Sequence, residues 1–593
     1  MTMKRPNAFT PLTLRAAPPI SPPAAAPALP ADPLIQPPPR HRTWRTMLLG
    51  SATFAVAGLL QGTAFAQCDT TPTTGNDSIS CGIGPFANQT IDALAGNDTI
   101  QLDGSVIAPF GATTVDGGAD NDSITLLNGA SVGALGVVQG GAGDDTIALD
   151  SGVTWDPGAL FDGQTGTDTL QFTTGGASTI DPSNFAGFEN LFKDGSDTLT
   201  LTGDHTFANT VDIDDGTLNV VGSLTTSRTD IASFATLQLP GGAFTSQVFS
   251  DGTITGSATA DALTFTAGSQ FAFANGSSSL IQSDGGDDTI TFDDVIISLF
   301  GSATVSGGAG ADEITLTNST VTAQIGSQAR ILGDAGNDTI LIDDTYVADL
   351  GSATVDGGVD DDLITLTNGA SVGALGVVQG GAGSDTIALD NSVTWNAAAS
   401  FSGGEGTDTL QFTAAGADTI DASNFAGFEA LFKDGSDTLT LAGDHTFANT
   451  VDIDAGTLSV TGSLTTLRTE IASGATLQLP GGAFTSQVVS DGTITGSATA
   501  DALTFTAGSQ FATASGLSSL IQGDGGADTI TFDEAIIGLT GSATVTGGAG
   551  ADSISLTSYS RAGSTSTGSA QIFGDAGKCY RAIINQDRIV SSI

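Results

Sequence analysis

The glycine-rich corner "GGAGDDTIA" at 140–148 returns along the chain with a steady beat, and that beat limits the fold more than any other feature of the sequence. Indexed by its last aspartate, it falls at Asp77, Asp98, Asp122, Asp145, Asp168 and Asp197. It returns at Asp288, Asp312, Asp338, Asp362, Asp385, Asp408 and Asp437, and ends at Asp528 and Asp552. Most intervals are 23 or 24 residues, the period of a solenoid rather than of a globular domain. After each aspartate apolar and polar residues alternate, as in "DTIAL" at 145–149, where Ile147 and Leu149 share one face. One coil cannot bury such a face alone; stacking coils about 4.8 Å apart does so. The predicted fold is all-β, a right-handed parallel β-helix of about twenty coils and a rod on the order of 100 Å long. No sustained 3.6-residue stripe predicts a helix.

Between the indexed corners the spacing tightens. At 198–287 and 438–527 short strands such as "TLTLTG" and "GTLNVVG" recur every 17 to 19 residues, beginning near Leu199, Leu218, Leu237 and Ile254. A second repeat is superposed on the first: from Val115 against Val355 the chain echoes itself at an offset of 240 residues, with the Gly, Asp, Ile and Leu framework kept. The organisation expected is an export region at 1–66, N-terminal coils at 67–114, repeat blocks at 115–354 and 355–577, and an anomalous tail at 578–593. In the first region Arg40, Arg42 and Arg45 precede the apolar run 47–60 and the small-residue site "AFA" at 64–66, the pattern of a Sec signal cleaved after Ala66.

Charge narrows the partners. The formal net charge is -49, and residues 67–577 hold six bases against 62 acids. Such a body repels nucleic acid, anionic lipid and phosphate, and suits water or divalent cations. Of three cysteines, Cys68 and Cys81 are close enough to close a small loop in an oxidising compartment.

The best-formed corners, among them "GGAGADEIT" at 307–315 and "GDAGNDTIL" at 333–341, resemble the G-G-x-G-x-D-x-U-x nonapeptide of the RTX calcium-binding family. That resemblance implies Ca²⁺ held by Asp145, Asp168, Asp312, Asp338, Asp385, Asp408, Asp528 and Asp552. The spacing departs from the family, which runs its nonapeptides in tandem, whereas here one corner occurs per coil. Carboxylates one rung apart lie about 4.8 Å from each other, near twice a Ca–O distance of roughly 2.4 Å, so two rungs bracket one ion. The alternative reading is that glycine supplies positive φ and aspartate caps the corner.

The segment 184–226, "NFAGFENLFKDGSDTLTLTGDHTFANTVDIDDGTLNVVGSLTT", and its copy from Asn424 are similar to the passenger repeat of autotransporters. The resemblance implies a β-helix exported through Sec and displayed at the surface of a Gram-negative bacterium or released from it. It further implies an adhesive or structural role toward a host or neighbouring-cell surface, or toward a second copy. A calcium-ordered RTX-like or S-layer-like structural protein is the alternative. Autotransporters close on a translocator barrel, and none is read here; the chain loses its period after Gly577.

No catalytic set is expected. His205 and His445 occupy equivalent corners, Arg228 and Arg468 have Asp230 and Glu470 as surface partners, and Trp155 and Trp395 read as core or capping residues. No Ser/His/Asp constellation is present in the sequence pattern.

Overall fold

A computed structural model describes residues 68–574, apart from 70, 174–177, 414–417, 422, 558–559 and 563–567. The export region 1–66 and the tail 578–593 lie outside the described residues.

Every described element of secondary structure is a strand, and the strands wind into a right-handed parallel β-helix of about 21 turns. One coil shows the plan. Thr339–Asp343, Tyr346–Val347 and Ser352–Val359 form three sides, and each pairs in parallel with its equivalent in the next coil. Ile340 lies on Ile364, Val347 on Val372 and Val355 on Val378. The period-two pattern sends Ile340, Ile342, Val347 and Val355 inward, where none is more than 1% exposed. Each such side chain contributes about 1.5–3 kcal/mol by leaving water, and the coil above supplies the cover the coil itself lacks. First-side strands join into one sheet along the rod. Phenylalanines form stacked pairs inside it, Phe265 on Phe292 and Phe505 on Phe532, each with ring centroids 4.9 Å apart.

The 17- to 19-residue coils have only two strands. In the first of them His205–Ile213 pairs with Leu224–Ile231, and the register breaks between Phe207 and Thr210. A bulge there bends one long strand through the angle that a full corner makes elsewhere, which is why five or six residues are saved. The Thr226 hydroxyl donates to the Asn209 carbonyl at 2.9 Å and supports the bend. The second copy repeats the arrangement between Phe447 and Thr450.

At the N-terminal end Cys68 and Cys81 are joined by a disulfide, as their spacing suggested, and Asp69 N–H donates to the Ser80 carbonyl beside it.

Candidate functional site

The glycine corner is the one feature that recurs with chemistry in it. Its last aspartate begins the first-side strand, and there the backbone N–H has no strand partner. The side chain of the next coil supplies one. Asp98 N–H donates to Asp122 Oδ1 at 2.7 Å, Asp122 to Asp145 at 2.7 Å, and Asp145 to Asp168 at 2.8 Å. The second column runs from Asp288 through Asp312, Asp338, Asp362 and Asp385 to Asp408, with distances of 2.8 to 2.9 Å. Asp501, Asp528 and Asp552 form a third. All of these side chains point inward and are at most 5% exposed.

Three glycine positions serve two needs. The second and fourth sit at positive φ, as Gly308 at 108° and Gly310 at 150° do; where Asp334 takes the second position it accepts φ of 77°, which aspartate tolerates. The first glycine has an ordinary φ and is required for space. A Cβ on Gly357 would lie 2.4 Å from Asp362 Oδ2 and 2.5 Å from the Gly380 carbonyl oxygen.

A second ladder runs outside the first and in the opposite sense. Asp144 N–H donates to Asn121 Oδ1 at 3.0 Å, Thr167 N–H to Asp144 Oδ1 at 2.9 Å, and Ser384 N–H to Asp361 Oδ1 at 2.7 Å. Where both ladders run, a corner is tied to the coil above by its inner aspartate and to the coil below by the residue before it.

The eight residues named as calcium ligands, Asp145, Asp168, Asp312, Asp338, Asp385, Asp408, Asp528 and Asp552, all stand in the inner ladder. Each spends one oxygen on a backbone N–H, the capping job of the alternative reading. Among the described residues no three His, Cys, Asp or Glu side chains converge as an ion cage. Along the inner ladder burial, reinforced by neighbouring carboxylates, raises the pKa to about 7 at Asp122, Asp338 and Asp362, and to about 6 at Asp168, Asp288, Asp385 and Asp528. Asp181 and Asp421, exposed and bonded to Ser183 and Ser423, shift the other way.

Asp197 and Asp437, indexed with the others, are not in the ladder; both are exposed. Their place is taken by Glu189 and Glu429, whose longer side chains cap Asp168 and Asp408 N–H at 2.9 Å and end the columns. Asp261 and Asp501 were missed because their intervals of 27 residues break the beat, although their positions at the head of "DALTF" mark them.

Just beyond each terminal glutamate a lysine is buried in a core position. Lys193 lies between Phe172 and Ile213 in register, and its ammonium donates to the carbonyls of Gly195 and Asp215. Lys433 donates to Asp434, Gly435 and Ala455 carbonyls at 2.8, 2.7 and 3.2 Å. Desolvation lowers the pKa of both lysines. His205 and His445 follow, stacked on Phe207 and Phe447 and bonded through Nε2 to the Thr202 and Ala442 carbonyls at 3.1 Å.

These glutamate–lysine segments are where known proteins are matched. Residues 191–220 and 431–460 fit the family model of the passenger-associated-transport-repeat. The chain carries the repeats of autotransporter passengers. The passenger repeat begins two residues after the terminal glutamate and covers the buried lysine, the histidine corner and the first bulge in each block. No curated protein matches the chain.

The remaining candidates have ion-pair or packing partners. Arg228 pairs with Asp230 at 2.8 Å and lies 4.2 Å over the Phe249 ring, and Arg468 pairs with Glu470 at 2.5 Å. Trp155 and Trp395 pack edge-on against the stacked pairs Phe161–Phe185 and Phe401–Phe425.

Proposed function

We propose that the chain is exported to the surface of a Gram-negative bacterium, where it serves as a non-enzymatic adhesive or structural rod. The observation that supports this most is the passenger repeat, present twice and embedded in a continuous β-helix. A solenoid stacks identical outward positions at about 4.8 Å, so its faces present rows of one chemistry to a partner. Here those rows are Thr, Ser, Asn and Asp, as in Thr264, Thr291 and Thr315 of the first-side sheet. Rows of hydroxyls and carboxylates suit hydrated, uncharged or cationic partners, with cell-surface glycan or a second copy as the two targets, and disfavour polyanions.

The test is display. Residues 67–577 are joined to a translocator barrel and expressed in a non-adherent Gram-negative strain. Expected are protease-sensitive surface protein and increased cell settling or attachment. Surface display with no gain in either would leave the export reading standing and remove the adhesive one.

A further inference from the structure

We propose that the inward aspartates of the glycine corners are held as neutral acids, each donating its second oxygen's proton to the first-glycine carbonyl of the next coil. The column then stores protons where the sequence suggested cations.

The geometry asks for a donor. Twelve ladder aspartates have a buried Oδ2 with no hydrogen-bond partner. A buried acceptor left without a donor is costly, and so many in line call for one common remedy. Beside eight of these Oδ2 atoms stands a second acceptor, a main-chain carbonyl oxygen of the next coil. Asp362 Oδ2 and the Gly380 carbonyl oxygen both border the space a Cβ on Gly357 would fill, and Asp338 Oδ2 and the Gly357 carbonyl oxygen border that of Gly333 in the same way. Two facing acceptors attract only with a hydrogen between them.

One coil already carries such a donor. Where Ser283 stands in place of the first glycine, its hydroxyl donates to the Gly307 carbonyl, so the carbonyl there is served by a side-chain O–H. In the duplicated copy the same position is Gly523, where Asp528 Oδ2, without a partner, and the Gly547 carbonyl oxygen both border the space of the missing side chain.

The surroundings favour a proton over an ion. Asp338 faces Asp312, Asp334 and Asp360, and Asp362 faces Asp338, Asp385 and Asp356; the one nearby cation, Arg330, acts on Asp356. A column of buried like charges with no counter-ion is relieved by protonation. Where the first glycine stands, Oδ2 occupies the space its missing Cβ would fill, and among the described residues no three His, Cys, Asp or Glu side chains converge toward the six to eight oxygens that Ca²⁺ requires.

Two measurements on the full exported chain decide it. In ¹³C-aspartate-labelled protein at pH 6, difference infrared spectra should show an aspartic-acid C=O band from the buried set; a spectrum with carboxylate bands alone would overturn the proposal. Asparagine reproduces the neutral acid, with one acceptor and one donor, whereas leucine supplies neither. Asp362→Asn should therefore keep amide exchange at Asp338 within about twofold of the parent, while Asp362→Leu speeds it about tenfold. If Asp362→Asn is as damaging as Asp362→Leu, and EGTA produces the same loss in the parent chain, the column holds a cation and the proposal fails.

Discussion

The wide coils of the glycine corners and the narrow coils of the passenger repeat solve one problem by opposite means. Each must turn a parallel strand through a corner without stranding backbone groups in the interior. The wide coil leaves a backbone N–H over and covers it with a buried carboxyl from the coil above. The narrow coil leaves carbonyls over at its entry and covers them with a buried ammonium, Lys193 or Lys433. The sign of the orphaned group dictates the sign of the side chain, and the terminal glutamate marks the exchange from one device to the other.

Glycine substitution separates the two most strongly. Gly357→Ala forces a Cβ between Asp362 Oδ2 and the Gly380 carbonyl, and should cost about 3 kcal/mol. Gly443→Ala in a narrow coil meets nothing within 4 Å and only loses a φ of 88°, for about 1 kcal/mol. Native-state hydrogen exchange of the affected coils reads both, and equal losses would remove the close-packing argument for the first glycine.

Lys433→Met keeps most of the volume but withdraws the donor from three carbonyls. About 2 kcal/mol should be lost, confined to the coils around 430–460, by the same exchange measurement. A loss spread evenly along the rod would mean that the lysine acts on overall folding rather than on its corner.

The wide-coil aspartates and the buried histidine of the narrow coil should answer pH with opposite signs. Asp338 and Asp362 bind protons more tightly folded than unfolded, their pKa rising from 3.8 to about 7. Their contribution is fully present below pH 4 and is lost as pH rises through 7. His445 is pushed below its ordinary 6.5 by burial, against weaker opposition from Asp421 and Asp444. Its contribution is present above 6.5 and is lost as pH falls below that value. Asp452 in the same narrow coil rises to about 6, so the histidine effect is best measured in an Asp452→Asn background. In that background exchange protection corrected for intrinsic rates should fall in the wide coils and rise around His445 between pH 4.5 and 7.5.

The smallest expected difference lies between the two copies of the narrow coils. Arg228 has both Asp230 and the Phe249 ring, whereas Val489 replaces that ring beside Arg468. Arg228→Ala should cost about 0.5 kcal/mol more than Arg468→Ala, because both ion pairs are exposed and only the ring contact differs. Equal thermal shifts would show that the ring contact adds nothing.

The fold class, the coil length and the inward face of each strand were legible in the sequence, because period and alternation are properties of the chain that survive stacking unchanged. So were the duplication and the passenger resemblance. Ile340 and Val355 point inward for reasons that neighbouring residues already state. What tertiary structure alone decided is the direction of each polar group at the corners. The aspartate of "DTIAL" reads equally well as an outward ligand or an inward cap, since its partner is the N–H of Asp122, 23 residues away, which comes within reach only once coils are stacked. Register likewise left out Asp197 and brought in Glu189 and Asp261: a position in the ladder depends on height along the rod, which the spacing in the sequence follows only while the coils keep one length.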